Sequence, residues 1–137
     1  MSLKEIAIKE FNSKMVENEE IQGLAMAYYE FQSGISGIVG TPNGTTTPIK
    51  GFLAYSNKQL LFYGEVFKAP TTLQISYSQI IEVKEKKQGF ALFKSFPSII
   101  VYHNDKQEIF TTRGDKEEFA KLREFFEKIN RDFIQTT

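Results

Sequence analysis

Gly51-Phe52-Leu53-Ala54-Tyr55-Ser56-Asn57-Lys58-Gln59-Leu60-Leu61-Phe62-Tyr63 is the stretch that decides the fold. Two apolar runs, 52–55 and 59–63, flank the short polar segment Ser56-Asn57-Lys58. Runs of this length favour extended backbone, and the segment between them reads as a tight turn. The stretch is therefore a β-hairpin. Beyond it, Leu73, Ile75 and Tyr77 alternate with Thr72, Gln74 and Ser76, the period-two pattern of a half-buried strand. Residues 80–86 continue as another strand that ends in a basic tip, with Gln88-Gly89 as its turn and 90–93 as a short strand. Pro97 interrupts, 99–103 forms a further strand, Asn104-Asp105 turns the chain, and 107–112 pairs back.

Upstream of the hairpin, Ile21–Phe31 is rich in aliphatic and aromatic residues and reads as a long first strand, in which Gly23 marks a bulge or a close backbone approach. Residues 33–48, with four glycines and two prolines, read as a long flexible connection. A helix occupies the first twenty residues. Ser2 and Glu5 form a capping-box pattern, Leu3, Ile6, Ala7, Phe11 and Met15 recur at helical spacing, and the pattern fades around 17–20. The last element, 115–133, is the best marked. Asp115 caps it, Phe119, Leu122, Phe125, Phe126 and Ile129 form one stripe that Phe133 extends, and lysines and glutamates fill the other face. That stripe must dock on the sheet. The chain thus reads as a single domain, 1–137, mainly β with terminal helices. Its strands, about seven between 21 and 112, are joined by short turns and hence antiparallel. They form a bent sandwich or barrel capped by the C-terminal helix.

Composition narrows function. Lys and Arg total 17 against 17 Asp and Glu, so the whole molecule exerts no pull on nucleic acid, and any attraction to anionic surfaces must come from a local patch. The absence of cysteine excludes disulfides, thiolate chemistry and Cys-based zinc sites. A single histidine, His103, excludes a His-based metal pair. It stands beside a turn and reads as a solvated strand-end residue. No cofactor is implied. No apolar run approaches the roughly 20 residues that span a bilayer, and residues 1–10 lack a signal-peptide core, so the chain reads as cytoplasmic.

The hairpin resembles the "G-x-L-x-x-T-x-x-R-L-L-F" hairpin of bacterial pleckstrin-homology-like and GRAM-like domains, with Ser56 at the Thr position and Gln59 at the Arg position. Ile75-Ser-Tyr-Ser-Gln-Ile-Ile-Glu-Val83 is similar to their "I-P-Y-x-x-I-x-x-V" junction, with Ser76 for Pro. The type most similar is the YokE-like pleckstrin-homology family. The resemblance implies a bent antiparallel sheet of about seven strands closed by a helix, and a binding module rather than an enzyme. Phosphoinositide binders of that fold cluster Lys and Arg in the first hairpin, whereas residues 33–48 contain none and only Lys50 follows.

Three features are candidates for chemistry. Gly40-Thr-Pro-Asn-Gly44 is similar to a phosphate loop but lacks the following Lys and a helix start, so it reads as plain loop. Lys84, Lys86, Lys87 and Lys94, with Phe90 and Phe93 interleaved, form a candidate binding surface for an acidic partner or an anionic membrane, against the alternative of lysines that keep a strand edge from aggregating. Ile38 and Val39, apolar within a Gly-rich loop, suggest with Tyr28, Tyr29 and Phe31 a patch for a protein partner or for self-association. The expected function is a non-catalytic interaction module that binds a protein or itself. The alternative is weak membrane binding through residues 84–94.

Overall fold

The computed structural model describes residues 1–31, 47–91 and 94–134, with backbone only for 88–91 and 94–95. In order it contains α1 (Leu3–Ser13), β1 (Ile21–Phe31), β2 (Thr47–Ser56), β3 (Gln59–Val66), β4 (Ala69–Ser76), a 3₁₀ turn (Tyr77–Gln79), β5 (Ile80–Ala91), β6 (Lys94–His103), β7 (Lys106–Thr111) and α2 (Lys116–Asp132). Seven antiparallel strands make one sheet in the order β4-β3-β2-β1-β7-β6-β5. β1 and β7 share only Tyr28↔Thr111 and Tyr29↔Phe110. The sheet therefore folds into two lobes about this narrow seam, making a curled half-barrel whose edges, β4 and β5, have no strand partner among the described residues.

The decisive hairpin is covered on both faces, which explains why its apolar residues run continuously instead of alternating. Leu53, Leu60 and Phe62 point into the main core with Tyr29, Ile99, Val101 and Phe110. Ala54, Leu61 and Tyr63 point outward, where Ala7 and Phe11 of α1 bury them. Ser56 closes β2 and Asn57-Lys58 form the turn. α2 closes one end of the half-barrel. Asp115 accepts from Glu118 N at its start, and Phe119, Leu122, Phe125, Phe126 and Ile129 are buried. Phe125 meets Tyr55 edge-on at 5.1 Å, and Phe133 stacks on Tyr77 at 4.7 Å. Five such side chains at about 1.5–3 kcal/mol each contribute on the order of 10 kcal/mol of burial.

Several boundaries differ from the expectation. α1 ends at Ser13 rather than near 17–20, because residues 16–19 turn tightly with Asn18 at φ 66°. Met15 still packs on the α1 cluster from the linker. Gln88-Gly89 is not a turn. β5 runs through it to Ala91 and pairs with β6 from Ile80↔His103 to Ala91↔Lys94, so Phe90 and Ala91 continue β5, while residues 92–93 of the expected short strand lie outside the described residues. Pro97 does not interrupt β6, because it pairs only toward β5, opposite Lys87, and β7 begins one residue later at Ser98↔Thr111. Thr47 and Pro48 belong to β2, and the rest of the expected long connection lies outside the described residues.

Ser56 and Gln59, the two departures within the hairpin motif, share one partner. Glu19 is buried, accepts from Ser56 Oγ at 2.5 Å and Gln59 Nε2 at 2.9 Å, and also caps Val16 N. Burial alone would raise its carboxyl, but the Ser56 hydroxyl, the Gln59 amide and the Val16 N–H outweigh it and hold the group below its ordinary 4.5. Ser56 Oγ also accepts from Lys58 N and Gln59 N, so one hydroxyl ties the turn to the linker. Ser56→Ala should cost about 1–3 kcal/mol, because it leaves a buried carboxylate short of a donor. A depressed carboxyl stabilises the fold above its unfolded value and loses that contribution as pH falls through the folded one. The gap between wild type and variant should therefore be full at pH 7 and shrink below about pH 4.5. Urea melts at pH 7 and pH 3 measure it, and a gap that widens in acid would contradict the role given to Glu19.

Candidate interaction surface

β5 sets the geometry of the lysines. Its alternation places Val83 and Glu85 inward, paired with Val101 and Ile99, and Glu82, Lys84 and Lys86 outward beside Tyr102, Ile100 and Ser98. Lys84, Lys86 and Lys87 are thus exposed along a sheet edge rather than clustered at a hairpin tip. Lys84 lies 3.5 Å from Glu82, and Lys86 sits 5.8 Å from the Tyr102 ring centre. Lys87 has no ion pair among the described residues. Phe90 and Lys94 fall where only backbone is described, and Ile38, Val39 and Phe93 lie outside the described residues. Phe31 is exposed, Tyr28 half-buried and Tyr29 buried in the core.

Between β5 and α2 runs a groove of about 130 Å³, floored by Val83, Ile99 and Phe126 and flanked by Lys84, Glu85, Arg123, Glu127 and Asn130. Arg123 donates two hydrogen bonds to Glu85, at 2.8 and 2.9 Å, and pins strand to helix. The guanidinium holds the Glu85 carboxyl below its usual range. Ile81, at a register shift in β5, is 62% exposed, large for an aliphatic residue beside a free edge.

Beside the β6–β7 turn lies a cavity of about 500 Å³, lined by Tyr29, Leu73, Asp105, Lys106, Gln107 and Glu108. Here the structure corrects the reading of His103, which is buried rather than solvated. His103 shares the inward face of β6 with Ile99 and Val101, and its Nε2 lies 2.7 Å from Glu108 Oε2. Tyr29 donates to Glu108 Oε1 at 2.6 Å. Burial, then the hydrogen bond to Glu108, pushes the Tyr29 phenol well above its ordinary value. The His103–Glu108 pair has the form of a base and its orienting group, but no hydroxyl nucleophile is bonded to His103 among the described residues. No cluster of three metal-ligating side chains occurs among them either. Phe67 and Lys68 turn β3 into β4 with φ of 50° and 66°, and Phe67 is 99% exposed.

Glu30 is a further buried carboxylate missed in the sequence. On the outer face of β1, it receives a bidentate pair from Arg113, at 2.9 and 2.5 Å.

Solved structures share this architecture. The C-terminal domain of an unknown protein from Leishmania infantum aligns over 93% of this chain and 94% of its own, with a TM-score of 0.58 and 13% identity. The hSac2 domain from the human phosphoinositide phosphatase Sac2 aligns over 90% and 76%, with a TM-score of 0.64 and 9% identity. A pleckstrin homology domain from Shewanella amazonensis aligns over 95% and 96%, with a TM-score of 0.54 and 15% identity. The fold is pleckstrin-homology-like. The seven strands, the curled half-barrel and the closing helix match that expectation. Identities this low carry the fold and nothing finer. No protein-family model and no curated protein sequence matches the chain.

Proposed function

We propose that this pleckstrin-homology-like chain is a non-catalytic module that binds an extended segment of a partner protein along β5, in the groove beside α2. The observation that carries this reading is a free twelve-residue edge strand next to a groove with an apolar floor. An extended peptide completes such an edge with main-chain hydrogen bonds, while alternate side chains enter the groove. Lys84, Lys86, Lys87 and Arg123 stand against Glu82, Glu85 and Glu127, and Glu85 is already held by Arg123. The edge therefore favours an acidic segment and disfavours a copy of itself. The hairpin motif supports placement near the YokE-like and GRAM-like domains.

Anionic membrane binding through the same lysines is the weaker reading. They stretch along an edge instead of converging on a tip, and each contributes only about 1 kcal/mol near an anionic surface. Phosphoinositide recognition is disfavoured because residues 33–48 carry no Lys or Arg to pair with phosphates.

Two short peptides test the reading, one alternating glutamate and valine, the other lysine and valine. The acidic peptide should bind in fluorescence anisotropy and weaken with salt, and the basic one should not. The Lys84→Glu/Lys86→Glu/Lys87→Glu variant keeps its fold, because all three side chains are exposed, and should lose at least about tenfold in affinity. Equal binding of both peptides, undiminished binding by the variant, or binding confined to acidic liposomes would each overturn the reading.

A further inference from the structure

The two edges of the sheet are built differently. β5 carries lysines and glutamates, and its register shifts twice against β6. β4 reads Ala69-Pro70-Thr71-Thr72-Leu73-Gln74-Ile75-Ser76, contains no charged residue, and pairs with β3 over eight positions without a shift. Edges are ordinarily blunted by charge, bulges or proline. On β4 only Pro70 does so, at the end near the turn.

The turn fixes which backbone groups face outward. The two-residue connection makes Val66 and Ala69 the closing hydrogen-bonded pair, so odd-numbered residues of β4 turn their backbone groups to β3. Pro70, Thr72, Gln74 and Ser76 turn theirs to the free side, where the missing N–H of proline does no harm. Ser76 N donates to Gln79 Oε1 at 3.3 Å. The N–H and carbonyl groups of Thr72 and Gln74 have no backbone partner among the described residues, whereas the Ser76 carbonyl caps the 3₁₀ turn 77–79. The side chains of Thr72, Gln74 and Ser76 are exposed.

The side-chain pattern reads the same in both directions. Thr72-Leu73-Gln74-Ile75-Ser76 is hydroxyl, aliphatic, amide, aliphatic, hydroxyl. We infer that β4 is a self-association strand, on which a second copy of this chain docks antiparallel about a two-fold axis at Gln74. In that register Gln74 faces Gln74 of the other copy and carries the main-chain pair, Leu73 faces Ile75 on the inner side, and Thr72 meets Ser76 on the outer side through their side chains alone, since the Ser76 main chain is held by the 3₁₀ turn. Every cross-strand pair joins like chemistry without opposed charge. The contact is isologous and closed, so it stops at two copies. A lysine- and glutamate-bearing edge such as β5 offers no such match to β4.

Sedimentation equilibrium of the whole chain should show a reversible monomer–dimer equilibrium. Gln74→Lys and Gln74→Glu each bring like charges together on the axis, and each alone should weaken dimerisation at least about tenfold. Gln74 is exposed and its one side-chain hydrogen bond, to Gln59 Oε1 at 3.2 Å, lies on the surface, so both variants keep the wild-type circular dichroism spectrum. Mixed in equal amounts they should recover dimers containing one copy of each, since Lys then faces Glu. The Lys84→Glu/Lys86→Glu/Lys87→Glu variant should dimerise as the wild type does, which separates this edge from the one proposed to bind a partner. A wild type that stays monomeric at millimolar concentration, a Gln74→Lys protein that dimerises normally, or a mixture that fails to recover would overturn the inference.

Discussion

Phe125→Asp should abolish the cooperative unfolding transition under native conditions. Phe125 is buried against Tyr55 and Phe126, with ring centres at 5.1 and 5.2 Å, at the closed end of the half-barrel. Aspartate there loses the burial of a large ring, about 3–5 kcal/mol for such a truncation. It also places a carboxylate among aromatic rings, where an unpaired charge costs several kcal/mol more. The sum is comparable with the 5–15 kcal/mol that holds a domain of ordinary size together. Circular dichroism melts measure the outcome. The milder Phe125→Leu should stay folded with a lower Tm, which separates loss of the ring from loss of the helix. A wild-type transition in Phe125→Asp would mean that α2 does not dock on the sheet.

Gly51→Val should be nearly as damaging, for a backbone reason. Gly51 and Gly64 face each other across β2 and β3. A Cβ on Gly51 would lie 2.1 Å from Tyr63 O, 2.7 Å from Gly64 Cα and 2.8 Å from Phe62 Cζ. Two of these are backbone atoms of the central ladder, so relief requires the strands to separate. Overpacking of this kind costs about 1–3 kcal/mol for side chains alone and more when backbone must move. A loss of at least ~3 kcal/mol, on the order of 10 °C in Tm, is expected. Gly51→Ala should lose less in the same direction. A Tm within about 2 °C of wild type for Gly51→Val would show that the strands have room there.

The opening glycine of the hairpin motif thus has a steric cause, but the sequence shows only that a glycine stands there. Other elements were legible because their patterns are local. The stripe of α2, the capping pairs Ser2–Glu5 and Asp115–Glu118, and the bounds of β1 follow from spacing within a few residues. Gly23 both sits at a register shift and would put a Cβ 2.3 Å from the Tyr55 ring, as a strand glycine with no turn signal suggests. The basic strand was misjudged because Gln-Gly is a good turn dipeptide in isolation. Here β6 pairs through Gly89, and this tertiary ladder overrides the local preference. That error moved the lysines from a strand edge to a tip, and with them the expected mode of binding. His103 is buried against its reading as a solvated strand end, and Glu108, to which the sequence reading assigns no role, is buried with it. The polarity of His103 suggested solvent, yet each lies two residues from an inward-facing partner, Val101 and Phe110, and strand alternation assigns them to the interior. Glu19 and Glu30 were out of reach, because their donors come from 37 and 83 residues away.

Amide hydrogen exchange along β5, with and without the alternating glutamate–valine peptide, tests the central claim most directly. In the free protein the outward amides of this edge have no strand partner among the described residues and should exchange faster than those of β2 and β3, which are protected on both sides. The account predicts that the peptide slows exchange at alternate residues between 82 and 87 and along the facing side of α2, leaving β4 and the turn at 104–105 unchanged. Protection confined to the cavity near Glu108, or no protection of β5 at peptide saturation, would contradict it.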